Sequence, residues 1–224
     1  MTNLNELRIK LDQQTEKIVS GLKDRSRYKL NADVFMQQFY NGMTWFEYRL
    51  FREQDLDSEF GRFEFPGQSP ILFPKKQLSV PKKEREAGQN NIPIGNIQDS
   101  GEKIINIYRR TLPDLCQHGE CPETYGETAK CDASNVLLCN ERIIGLGRQV
   151  AEAKIQESPG LVNLAPENMR GVIINPKREE EVILKALDIS ERYELQKPEL
   201  IRVFFRGIID MTVDAQIRYI RSRR

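Results

Sequence analysis

Apolar side chains recur at helical spacing through most of this chain, and that periodicity constrains its fold more than any other feature. Leu4, Leu7, Leu11, Ile18 and Leu22 lay one stripe along a helix expected from about Asn3 to Arg25. A second, aromatic-rich helical stretch is expected over roughly Ala32 to Asp57, with Phe35, Phe39, Trp45, Phe46, Leu50 and Phe51 as core material. The pattern returns at about Glu102 to Arg110 and stops at Pro113, where the ring removes a donor. It resumes at about Ala133 to Gln156 with Val136, Leu137, Ile143, Ile144, Leu146 and Val150. Asn175 then caps a helix that Pro176 opens, and a last helix from about Pro198 to Ile220 carries Phe204, Ile208, Met211, Ala215 and Ile217. No alternating strand pattern competes with these. The fold class that follows is all-α, a helical bundle with long connecting loops, organised as one domain over residues 1–224.

The connections are as informative as the helices. Prolines, glycines and the basic stretch PKKQLSVPKKERE make Phe65 to Gly101 a long loop or crossover. A second loop, up to Asp132, carries most of the cysteines. Gly145 and Gly147 weaken the middle of their helix by about 1 kcal/mol each relative to alanine, which implies close packing or a local distortion there.

Charge narrows the function. Thirty-four basic residues against 33 acidic ones leave a net charge of +1, so no broad attraction to nucleic acid is expected, and the basic end RYIRSRR reads as a solvated helix terminus. No run approaches the roughly 18 apolar residues of a membrane span, and the polar start MTNLNELRIKLDQQ lacks a signal-peptide core. A cytoplasmic address without membrane attachment is the expectation. Cys116, Cys121, Cys131 and Cys139 surround the single histidine, His118, in a stretch that includes CQHGEC. Zinc or a disulfide could use these residues, but neither cysteine pair has C-x-x-C spacing, and a cytosolic address disfavours stable disulfides. Free thiols, with no metal, are the reading adopted.

Several polar residues fall on or beside faces that should be buried. Arg8 lies between Leu7 and Leu11, Arg142 and Lys154 share one helix, and the pairs Asn175/Glu179 and Thr212/Gln216 are each four residues apart. Residues four apart share a helix face, so each pair could project into one cavity. Any one of these alone is ordinary surface charge; their combination asks for an explanation.

Taken in order, these residues resemble the all-helical chorismate mutases, especially the longer fungal and plant type. The most specific stretch is VAEAK at Val150 to Lys154, preceded by Arg142. GRFEFPGQSPILFP at Gly61 to Pro74 and the Tyr125-Gly126 pair support it, and NPKREEEV at Asn175 to Val182 is similar to a segment of the short mutases. The resemblance implies a homodimer with one active site per subunit and an enzyme of aromatic amino acid biosynthesis that needs no cofactor. It implies that Arg8 and Arg142 take the substrate carboxylates, and that Lys154 binds the ether oxygen and a carboxylate. Glu179 would hold the ring hydroxyl with Asn175 beside it, Thr212 would sit near a carboxylate, and Gln216 would face Lys154 across the ether oxygen. Arg62 and Gly126 match positions at which family members bind an aromatic amino acid effector, although the loop CQHGECPETYGETAKC around Gly126 departs from the family pattern.

The chemistry suits such residues. Chorismate is a dianion that must fold its enolpyruvyl side chain over the ring; one C–O bond then breaks and one C–C bond forms in the same molecule. Catalysis rests on holding that conformer and on stabilising charge that grows on the ether oxygen. Arginine forks suit carboxylates, an ammonium strengthens its contact as the ether bond stretches, and a carboxamide donates without titrating. Activity through neutral and mildly alkaline pH is expected. Isochorismate pyruvate-lyase activity, or a non-catalytic mutase-like binding or regulatory protein, are the alternatives. One register departs from the family: Arg142 and Lys154 are 12 residues apart where the family has 11, which predicts a π-bulge near Gly145 to Arg148. In a regular helix Arg142 would point away, and Arg148 would be the substitute. The run of three glutamates leaves Glu180 as a rival to Glu179, with the Asn175 spacing favouring Glu179.

Overall fold

Helix α1 (Leu4–Arg25) runs through the middle of the fold because its stripe of Leu7, Ile18, Val19 and Leu22 is buried completely or nearly so. A computed structural model describes residues 4–64, 68–71, 95–195 and 197–223. The basic stretch at 74–86 lies outside the described residues, as does Arg224 of the basic tail.

The aromatic stretch is not one helix. It opens as a 3-10 turn (Ala32–Phe35), then forms a two-stranded antiparallel hairpin of β1 (Gln38–Tyr40) and β2 (Met43–Thr44) before α2 (Trp45–Glu59). Asn41 and Gly42 lie at φ 48° and 74°, the left-handed pair that a two-residue hairpin turn demands. That Asn-Gly signal was readable in the sequence, and the dense aromatics obscured it. Thr44 and Glu47 then close a capping box that starts α2. Phe39 stacks on Trp45 with centroids 3.7 Å apart, so these aromatics pack on one another.

Helix α3 (Gly95–Leu115) starts earlier than its periodicity indicates and carries Pro113 inside its last turn. The ring costs helix stability, but burial of Leu112 and Leu115 on either side outweighs it. The cysteine loop is likewise shorter than expected, because α4 (Tyr125–Asn140) already includes Cys131. From α4 the chain continues without a break through a π-helical turn (Glu141–Leu146) into α5 (Gly147–Glu157). The predicted bulge is therefore present, centred a few residues earlier than expected. Gly147 faces the last helix, α8 (Pro198–Arg221), where an added Cβ would lie 3.4 Å from the Thr212 methyl and 3.6 Å from Ala215, so the two helices pack closely.

A short α6 (Pro166–Ile173) leads into α7 (Pro176–Arg192) and α8. Helix α1 packs on α4, α5 and α7, while α8 packs on α3, α5, α6 and α7. The main core joins Ile18, Leu50, Tyr108, Val136, Phe204 and Ile208; a second cluster joins Ala151, Met169, Val213 and Ile220. One charged knot lies within this core. Arg25 is fully buried, donates to Asp132 at 2.7 Å and to the carbonyls of Lys29 and Leu30, and Tyr108 donates to the same Asp132 oxygen. Burial drives the Asp132 carboxyl up to about 6, even with Arg25 beside it.

The four cysteines are free thiols, and no cluster of metal-ligating side chains occurs among the described residues. Buried Cys116 accepts a hydrogen bond from Arg25 at 3.1 Å, and burial raises its thiol to about 11. No helix among the described residues is long and apolar enough to cross a membrane.

Candidate active site

Five helical segments converge on one cavity of about 150 Å³. Arg8, Arg142, Lys154, Asn175, Glu179, Thr212 and Gln216 all line it. The apolar stripe of α1 faces the core and sets Arg8 at its margin, exposed and donating to Asn5 at 2.9 Å. The π turn carries Arg142, α5 carries Lys154, and the four-residue spacings on α7 and α8 supply the other four. Leu11, Val150, Val182, Ile209 and Val213 make up much of the apolar wall.

Arg142 is 3% exposed. One of its terminal nitrogens donates to the Leu11 carbonyl at 2.5 Å, and its buried Nε has no partner. Burial lowers its pKa to about 10, with nearby Asp12 opposing the shift. An incompletely satisfied guanidinium in an apolar-walled cavity is a strong anion receptor. Arg148, the alternative, lies outside this lining and donates instead to Ser69 Oγ at 2.8 Å. The π turn thus brings Arg142 and Lys154 to one cavity despite their 12-residue separation.

The Lys154 ammonium donates to Gln216 Oε1 at 3.0 Å and to the Ile173 carbonyl at 2.8 Å. Its pKa is lowered, chiefly by burial, while Glu179 opposes that shift and Arg8 adds to it. Because the carboxamide oxygen accepts from the lysine, the amide NH2 of Gln216 is the group left to donate to a ligand. Gln216 is buried, and so is Thr212, whose hydroxyl donates to the Ile208 carbonyl at 2.7 Å. Thr212 must turn away from that carbonyl before it can donate to a carboxylate.

At the start of α7 the Asn175 side chain accepts from the Arg178 backbone at 3.0 Å, which caps the helix, and Glu179 follows one turn later inside the cavity. Glu180 is exposed and pairs with Arg202 at 3.2 Å, so the register favours Glu179. Sequence reasoning missed Arg178, which also lines the cavity and pairs with Asp12 of α1 at 2.8 Å. It stood in the NPKREEEV segment, but only the fold shows that it borders the same space. Setting this ion pair aside leaves three cations and one carboxylate on the lining, an excess of positive charge suited to a dianion.

Away from the cavity, Arg62 bonds Asp57 at 2.8 Å and reaches Glu141, the first residue of the π turn, at 3.7 Å. Gly126 opens α4 with free space where a side chain would stand.

The fold and this cavity define a helical bundle with a cationic, apolar-walled cavity between its helices. Residues 124–217 match the family model for chorismate mutase type II. A chloroplastic chorismate mutase 1 of Arabidopsis thaliana is 35% identical over 168 residues, which are 70% of this chain and 46% of that relative. The crystal structure of AtCM1 with tyrosine bound in its allosteric site superposes with a TM-score of 0.76 at 27% identity, over 98% of this chain and 95% of that one. A chorismate mutase from Candida albicans in complex with L-Trp gives 0.83 at 23% identity, over 97% and 90% of the two chains, and speaks for the fold. In sequence and in fold the chain is similar to the all-helical chorismate mutases, and it spans about half the length of the Arabidopsis relative.

Proposed function

We propose that this protein rearranges chorismate to prephenate. The observation that carries the proposal is the convergence of seven polar side chains, from five helical segments, on one apolar-walled cavity. In this reading Arg8 and Arg142 hold the two carboxylates, and Glu179 with Asn175 holds the ring hydroxyl. Lys154 and the Gln216 amide flank the ether oxygen, where their donors strengthen as the C–O bond lengthens and negative charge collects. Thr212 lies beside a carboxylate, and Arg178 adds a further cation at the rim. No atom leaves the substrate, so the protein's task is to select the folded conformer and to match its changing charge.

A homodimer is part of the same proposal, supported by exposed apolar side chains on the hairpin and α2: Phe39, Tyr40, Leu56 and Phe60. So is an aromatic amino acid effector near Arg62 and Gly126, since the related structures are described with tryptophan or tyrosine bound. A cytoplasmic address is also proposed; the chloroplastic designation belongs to the plant relatives. The test is to follow chorismate loss and prephenate formation with purified protein, with isochorismate as a parallel substrate. Turnover of chorismate to prephenate is expected, whereas pyruvate release from isochorismate alone would replace this reading.

A further inference from the structure

The π turn is the least self-sufficient element of the site. Its widened turn packs its backbone less favourably than an α-helix, so a π turn persists where its surroundings hold it. What it achieves is register. In an unbroken helix at ~100° per residue, side chains 12 apart lie about 120° apart around the axis, and absorbing one residue reduces that to about 20°. Arg142 reaches the cavity of Lys154 only while the turn is kept.

Both ends of the turn are tied to one residue. Asn140, immediately before it, donates from Nδ2 to the Ser69 carbonyl at 2.6 Å. Arg148, two residues after it, donates from Nη1 to the Ser69 hydroxyl at 2.8 Å. Ser69 and Asn140 are each 6% exposed, and burial lowers the Arg148 guanidinium to about 10. Arg148 shares no ion pair among the described residues; its side-chain partner is a neutral hydroxyl. Desolvating a guanidinium for a neutral acceptor is a poor way to gain stability, which points to a geometric use.

Ser69 is itself anchored. Two residues on, the Ile71 amide donates to Gln54 Oε1 of α2, and the Ile71 side chain is buried in the main core against Gly101. Helix α2 thus fixes segment 68–71, and that segment brackets the π turn.

We propose that Ser69 is a positioning residue that clamps both ends of the π turn and so keeps Arg142 in the substrate cavity. The catalytic part of this inference rests on the proposed mutase activity; the clamp itself does not.

The test uses the full-length protein and two readouts. In Ser69→Ala and Asn140→Leu, amide hydrogen exchange at residues 141–147 should accelerate relative to residues 128–138 of α4, and Ser69→Thr should restore it. KM for chorismate should rise about tenfold in Ser69→Ala with kcat changed less than about twofold, the split expected when a ground-state carboxylate contact is misplaced. In an Arg142→Ala background the same change should have no further effect, because the contact it positions is gone. Unaltered exchange at 141–147 in both variants overturns the clamp. A KM effect that persists in full without Arg142 overturns its role in positioning. A parent that exchanges as described but turns over no chorismate counts against the proposed function and leaves the clamp standing. Should Ser69→Ala fail to fold, Arg148→Met cuts the same hydroxyl contact from the other side and is read in the same way.

Discussion

Lys154 and Gln216 form a contact whose polarity decides the pH behaviour of the site. An ammonium can only donate, so the carboxamide accepts from it at 3.0 Å and keeps its own N–H groups for a ligand. Removing the charge in Lys154→Ala should lower kcat by about 10²-fold to 10³-fold or more, as loss of a donor to a developing oxyanion does elsewhere, with the helical circular dichroism spectrum unchanged. Burial places the Lys154 pKa below the ordinary 10.5. The protonated form is the active one, so kcat/KM should be flat from about pH 6 through neutrality and fall on the alkaline side before lysine's usual range. Gln216→Glu reverses the pattern. An ionised carboxylate there would neutralise Lys154 and repel the growing charge, so activity should move to acid pH and drop at least about tenfold at neutral pH. These residues were legible in the sequence by their resemblance and their four-residue spacings. Arg178 was not, because its place at the cavity rim depends on how α7 docks against α1 and Asp12.

Helices declared themselves through periodicity wherever one face is buried and the other is wet. The last helix was expected at Pro198 to Ile220 and spans Pro198–Arg221, and Asn175 and Pro176 marked the start of α7 as cap and first turn. The failures have identifiable causes. Asn41 and Gly42 turn a hairpin inside a run of aromatics that suit helix and strand alike, and burial of Leu112 and Leu115 carries α3 past Pro113. The one-residue excess in register requires a π turn between Arg142 and Lys154 but does not fix its position, and the turn lies at Glu141–Leu146, earlier than the Gly145 to Arg148 expected. At this scale Asn175→Ala tests a single cap. It should cost about 1 kcal/mol of stability in urea unfolding and raise KM more than it lowers kcat, since α7 then frays next to Glu179.

The bundle as a whole is held at one end by a buried ion pair and opens a cationic cavity at the other. Arg25 and Asp132 tie α1 to α4, with Tyr108 of α3 completing the knot. Arg25→Met would leave the carboxylate buried without its cation, and should lower stability by about 3–5 kcal/mol at neutral pH. The folded pKa of Asp132, about 6, lies above its ordinary 3.8, so the folded state favours the protonated acid. Its ionisation costs the fold stability as pH rises between these values, and losing Arg25 enlarges that cost. The urea midpoint of the variant should therefore approach that of the parent as pH falls below about 5, a trend that unfolding curves at several pH values would register. Neither the knot nor the hairpin bears on what the cavity does. That question is answered most directly by incubating purified protein with chorismate and measuring prephenate, alongside Lys154→Ala. The account predicts stoichiometric conversion by the parent and a loss of at least about a hundredfold in the variant; equal rates for the two, or a folded parent that leaves chorismate untouched, would contradict it.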